Sequence, residues 1–178
     1  LESGGIGAVE PLPGVSMTRA YLGLGSNIGE RSANIKLALA LLEERGESIV
    51  RRSSLYETEP WGVRDQPLFL NMAVEVETNC GPRELFALCK KIERDMGRDP
   101  AAPRWGPRVI DLDILLYEGV ILREPEIEIP HPRMHERLFV LDPLSEIAPQ
   151  LVHPVLLMTI GELRMTLGAR GQGPGAKG

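Results

Sequence analysis

Ten residues, Leu68–Glu77, alternate without a break. Leu70, Met72, Val74 and Val76 point one way, and Phe69, Asn71, Ala73 and Glu75 the other. A period of two marks a strand with distinct faces, so this segment predicts a sheet with a core on one side. Pro82–Met96 then predicts a helix, with Pro82 in its first turn and Gly97 after its end. Its inward residues are Leu85, Leu88, Cys89, Ile92 and Met96. Val109–Tyr117 predicts another strand, and Gly119 turns the chain into Val120–Leu122. Upstream, Ala20–Leu24 predicts a short strand ending in a glycine turn, GLGSNIG. Ser32–Arg45 predicts a helix with Ile35, Ala38, Leu39 and Leu42 on one face, and Glu47–Tyr56 a strand. Downstream, Glu136–Leu141 predicts a helical turn and Thr159–Leu167 a final helix. The order β-α-β-β-α-β is that of an α+β fold, a ferredoxin-like αβα sandwich with a largely antiparallel sheet.

A chain of 178 residues suits one domain. Residues 1–16 are rich in Gly and Pro, lack periodicity and begin with Leu. They are expected to be a tag, leader or linker outside the fold, and disordered. The domain is expected over 17–168, with a flexible Gly-rich tail over 169–178. No run is long and apolar enough to span a bilayer, and no secretory signal stands out. Cys80 and Cys89 match no zinc or CxxC pattern and read as free thiols, so the cytoplasm is the expected compartment. The net charge of -5 argues against a general nucleic-acid binder. A local arginine cluster can still bind a small anion in an acidic protein.

Such a cluster surrounds RWGPRVIDLD, Arg104–Asp113. Asp111 and Asp113 share one strand face, roughly 7 Å apart at Cα, and can converge on magnesium. An acidic, solvated edge strand gives the same pattern. Leu112, Ile114 and Leu116 are expected on the opposite, core face. Arg98, Arg104 and Arg108 precede the acids, and arginine forks bind phosphate oxygens. Acids for metal beside arginines for phosphate suit phosphoryl-type transfer, and surface ion pairing suits them too. Trp105, in a loop with Pro103, Gly106 and Pro107, fits a lid over a flat substrate or an anchor in the core. Phe69 and Asn71 pair a stacking ring with an amide that donates and accepts, a combination suited to a heterocycle or to an ordinary covered sheet face. His131 and His135 lack the partners of a zinc site, leaving His131 as a phosphate donor. The glycine turn is no P-loop, because no Gly-Lys-Ser/Thr follows it.

Five blocks occur in order between about Arg19 and Leu167: LGLGSNIG, YETEPWG, QPLFLNMAVEVET, RWGPRVIDLDILLY and IPHPRMHERLFVLDPLSEIAP. Together they closely resemble the 6-hydroxymethyl-7,8-dihydropterin pyrophosphokinase family of folate biosynthesis. The resemblance implies transfer of the β,γ-pyrophosphoryl unit of ATP to the pterin hydroxymethyl group, releasing AMP. It implies that Asp111 and Asp113 hold two magnesium ions and that Arg98 and Arg108 are catalytic beside them. Thr58, Phe69, Asn71, Trp105 and Phe139 match pterin contacts, with the ring stacked between the phenylalanines and Trp105 as lid. Glu93, Arg98, Arg108, His131 and Arg137 match the ATP site. A monomer whose partners are ATP and the pterin, with neither nucleic acid nor membrane, is the implied assembly.

Some positions depart from well-known bacterial members. Pro132 and Phe69 stand where tyrosine is common, Glu126 where some have arginine, and Asp99, Pro100 and Ala101 bring no basic residue to the lid. The reaction is expected unchanged, with a weaker phosphate grip and altered lid kinetics.

Overall fold

The structure, a computed structural model, describes residues 16–170. The disorder expected of residues 1–16 and 169–178 therefore falls almost wholly outside the described residues. The elements are β1 (Thr18–Ser26), α1 (Arg31–Glu44), β2 (Ser48–Arg52), β3 (Tyr56–Thr58), β4 (Phe69–Thr78), α2 (Pro82–Asp95), β5 (Asp111–Tyr117), β6 (Leu122–Arg123), β7 (Glu128–Ile129), α3 (Leu138–Ile147) and α4 (Ile160–Ala169). The main sheet runs β2-β4-β1-β5, with β3 also on β4, and every pairing is antiparallel. This is the expected ferredoxin-like order. Among the described residues no helix is long and apolar enough to cross a membrane.

The sheet has a core on each face. On one side Met72, Val74 and Val76 of β4 and Leu112 and Ile114 of β5 meet Ile35, Leu39 and Leu42 of α1 and Leu85, Cys89 and Ile92 of α2. On the other, Tyr21, Ala73, Leu115 and Leu116 meet Leu141, Leu144 and Ile147 of α3 and Ile160 and Leu163 of α4. Each fully buried Leu or Ile contributes roughly 1.5–3 kcal/mol.

Four local expectations are corrected. First, β1 does not stop at Leu24: Gly25 continues the ladder on both sides and Ser26 on the β4 side. Second, Glu47–Tyr56 is not one strand. Ser53 bonds Ala73 through both its amide (2.9 Å) and its hydroxyl (3.0 Å), and Glu146 of α3 accepts from the Ser54 amide at 3.0 Å. Those bonds occupy the segment between β2 and β3. Third, Leu116 leaves the face of Leu112 and Ile114. The register with β1 shifts between Tyr21 and Leu22, so Leu115 and Leu116 both join the second core. Fourth, the turn at Glu136–Leu141 is a 3-10 turn, Met134–Glu136, followed by a helix running on to Ile147. Pro143 lies inside that helix, where a proline costs about 3 kcal/mol. Burial of Leu141, Leu144 and Ile147 offsets it.

His153 shapes the turn before α4. It is buried, and its Nδ1 accepts from the amides of Val155 (3.3 Å) and Leu156 (3.1 Å). Burial, then the nearby His135, holds its pKa below the usual 6.5. A histidine with a depressed folded pKa adds stability that is complete above its unfolded pKa and is lost as pH falls toward the folded value. Unfolding by urea at pH 5.5 and 7.5 should therefore show a smaller acid loss in His153→Asn than in the parent. Equal losses would contradict a neutral acceptor here.

Candidate active site

The second face of β1, β4 and β5 is open beyond Tyr21, Ala73 and Leu115, and a cavity of about 620 Å³ lies there. Its floor is set by register. Gly25 of β1 stands between Asn71 of β4 and Asp111 of β5, and Gly23 between Ala73 and Asp113. A Cβ on Gly25 would come within 3.0 Å of the Asn71 Oδ1, so glycine is required by the space the amide fills. The glycine motif thus lines the cavity rather than cradling phosphate in a turn.

The β4 side carries an amide among rings. Asn71 is buried, and its Nδ2 donates to Thr58 Oγ1 at 2.6 Å. That bond orients the amide beside Phe69, which pairs with Thr58 across the β3–β4 ladder. Phe139, at the start of α3, faces Trp61 at 6.4 Å between centroids. Arg137 lies 5.6 Å from each of those rings, and its Nε is buried without a hydrogen-bond partner. Trp105, 42% exposed, packs near Gly62, with Arg104 5.3 Å from its ring. Trp105 therefore lies at the cavity mouth and not in the core.

The β5 side is ionic. Asp111 and Asp113 face the cavity with side chains 32% and 47% exposed. Arg98 lies 3.2 Å from Asp111, and the buried Arg108 3.7 Å from it. Burial, then Asp113 and Glu93, pushes the Asp111 carboxyl up to about 6. Arg98 and Arg108 pull it the other way, but only in part. Among the described residues no three His, Cys, Asp or Glu side chains are arranged to hold a metal. Two carboxylates with phosphate oxygens completing the shell is the usual manner of magnesium, so the donor set fits that ion. His131 lines the same side; its Nδ1 accepts from the Arg133 amide at 3.3 Å, which leaves the proton on Nε2. Burial keeps this ring's pKa below the ordinary value.

The cavity brings together Thr58, Phe69, Asn71, Arg98, Trp105, Arg108, Asp111, Asp113, His131, Arg137 and Phe139. Glu93 does not line it. Glu93 is buried behind the floor, where it accepts from Arg98, from Lys90 at 2.9 Å and from the Leu112 amide at 2.8 Å. It holds two cations and a strand from behind the cavity floor. Glu126, between β6 and β7, is also outside the lining. Trp61, Lys90 and Arg133 line the cavity and were not singled out from sequence. The scarcity of aromatics, 4% of the chain, was the available signal for Trp61. Lys90 could have been found by its i, i+3 spacing from Glu93 on α2. Lys90 and Arg133 also add cations where the lid lacks one.

A family model described as 7,8-dihydro-6-hydroxymethylpterin-pyrophosphokinase matches residues 21–149. The chain is 49% identical over 133 residues to a 2-amino-4-hydroxy-6-hydroxymethyldihydropteridine pyrophosphokinase from Bacillus subtilis, covering 74% of this chain and 79% of the relative. It is 50% identical over 137 residues to the protein of that name from Methylorubrum extorquens, covering 76% and 86%. In structure it is similar to Plasmodium falciparum HPPK-DHPS with STZ-DHP, at a TM-score of 0.69 and 18% identity. The match covers 89% of this chain and 45% of that one, so the chain spans less than half of the longer protein. At that identity the likeness establishes the fold alone.

Proposed function

The chain belongs to the 7,8-dihydro-6-hydroxymethylpterin-pyrophosphokinase family, and from that we propose that its cavity transfers the pyrophosphoryl group of ATP to 6-hydroxymethyl-7,8-dihydropterin. The products are AMP and the pterin diphosphate, an intermediate of folate biosynthesis. The observation that carries the reading is the division of one cavity into an amide-and-ring side and a carboxylate-and-arginine side.

On the first side, the pterin stacks against Phe69 and Phe139, with Asn71 and Thr58 at its edge and Trp105 closing over it. On the second, Arg98, Arg108, His131 and Arg137 take the phosphates. Asp111 and Asp113 would hold two magnesium ions, which would supply charge neutralisation of the triphosphate. Arg98 and Arg108 are already near these carboxylates, so their charge meets that developing as the bond to the α-phosphate breaks. The attacking group is the substrate hydroxyl. His131 donates, and both aspartates are engaged, so positioning at the floor replaces a dedicated base.

Residues 17–168 form the pyrophosphokinase domain, in keeping with elements that run from Thr18 to Ala169. The enzyme acts as a cytoplasmic monomer with neither nucleic acid nor membrane as partner, a reading supported by its acidic balance and two free thiols.

AMP release from ATP, measured with and without the hydroxymethyl dihydropterin, tests the function. AMP formation only with the pterin is expected; phosphate release without an acceptor would favour a hydrolase. Asn71→Ala should raise the KM for pterin by about tenfold, one net hydrogen bond to the heterocycle, and leave the KM for ATP nearly unchanged. An equal loss for both substrates would argue against the pterin assignment.

A further inference from the structure

The asparagine of the GLGSNIG segment has a place in the fold that the cavity floor does not explain. Asn27 is 1% exposed and does not line the cavity. Its Oδ1 accepts from the Arg108 amide at 2.7 Å, and its own amide donates to the Arg108 carbonyl at 2.9 Å. Its Nδ2 donates to Gln66 Oε1 and to the Pro67 carbonyl, each at 3.0 Å. Gln66 donates in turn from Nε2 to the carbonyls of Val63 (2.6 Å) and Trp105 (3.1 Å). One amide therefore ties the lid's root at Arg108 to the loop between β3 and β4. The other ties that loop to the lid's tryptophan.

We infer that Asn27 and Gln66 are positioning residues, a two-amide relay that holds Arg108 and Trp105 in one arrangement with the loop carrying Trp61. Each side chain must accept at one end and donate at the other, which an amide does and a carboxylate does not. Arg108 stands on the phosphate side of the cavity and Trp105 at its mouth, so the relay sets the two sides relative to one another. Its effect on turnover rests on the pyrophosphokinase reading; its bonds do not.

Near-isosteric carboxylates separate the links. Gln66→Glu keeps the acceptor for Asn27 and loses the donor to Trp105. Asn27→Asp keeps the acceptor for the Arg108 amide and sets oxygen against Gln66 Oε1 and the Pro67 carbonyl. Native-state hydrogen exchange over 104–108, without substrates, should be about tenfold faster in both variants, the factor for one net hydrogen bond. Unchanged exchange in Gln66→Glu overturns the relay, and that half-buried site carries the test alone if Asn27→Asp fails to fold. In AMP-release assays kcat should fall about tenfold while the KM for ATP stays within about threefold. The double variant should be no slower than the slower single one. Multiplying losses, or an unaffected kcat in Gln66→Glu, overturn the relay. A parent chain that forms no AMP instead removes the pyrophosphokinase reading, and hydrogen exchange then decides the relay by itself.

Discussion

Asp113→Asn should reduce kcat for pterin diphosphate formation by on the order of 10³-fold, the several kcal/mol that metal charge supplies to a polyphosphate transition state. The side chain is half exposed on the cavity floor, and its near neighbour is Lys90 at 3.9 Å. An asparagine of nearly the same shape leaves the Gly23–Asp113 pairing intact, so thermal unfolding should barely move. Loss of activity with an unchanged Tm, and a magnesium requirement shifted to higher concentration, is the expected pair of results. A variant that keeps near-normal kcat would remove the metal assignment for this residue.

Glu93→Ala should act on the fold and the reaction together. Its carboxylate is buried and accepts from Arg98, Lys90 and the Leu112 amide. Removing it strands a buried amide on β5 and leaves two cations without their partner. Arg98 and Lys90 are each more than a quarter exposed and can regain water, so the loss stays at about 3 kcal/mol, below the upper range for a broken buried pair. For a chain of this size that lowers Tm by roughly 6–12 °C. Arg98 then no longer has its anchor beside Asp111, and kcat should fall even at temperatures where the variant is fully folded. A folded variant with parental kcat would show that Arg98 is held by other means.

Much of the architecture was legible from periodicity. The alternation of Leu68–Glu77 reappears as β4 between the two cores, and the helix predicted over Pro82–Met96 is α2 within one residue. The misses have physical causes. Gly23 and Gly25 look like a turn because glycine is a turn former. In the sheet they are small because the neighbouring Asn71 and Leu115 side chains occupy their space. The register shift opposite Tyr21–Leu22 moves Leu116 to the other face, and no pattern in DLDILLY announces it. Pro143 hides most of α3, since burial that outweighs a helix breaker is visible only once the sheet exists. At the site, spacing on one strand identified the facing of Asp111 and Asp113. The role of Glu93 behind them depends on α2 packing against β5, which only the tertiary structure supplies.

The rows Asn71–Gly25–Asp111 and Ala73–Gly23–Asp113 make the central strand a measuring bar. Neighbouring strands lie about 4.8 Å apart, so two steps fix roughly 10 Å between the backbones of Asn71 and Asp111. Backbone hydrogen bonds set that spacing between the two Cα positions. An acceptor alcohol with its hydroxyl one carbon farther from the same ring would overshoot the phosphorus. On the proposed reading, reach is thus set by the ladder as well as by the groups that grip the ring.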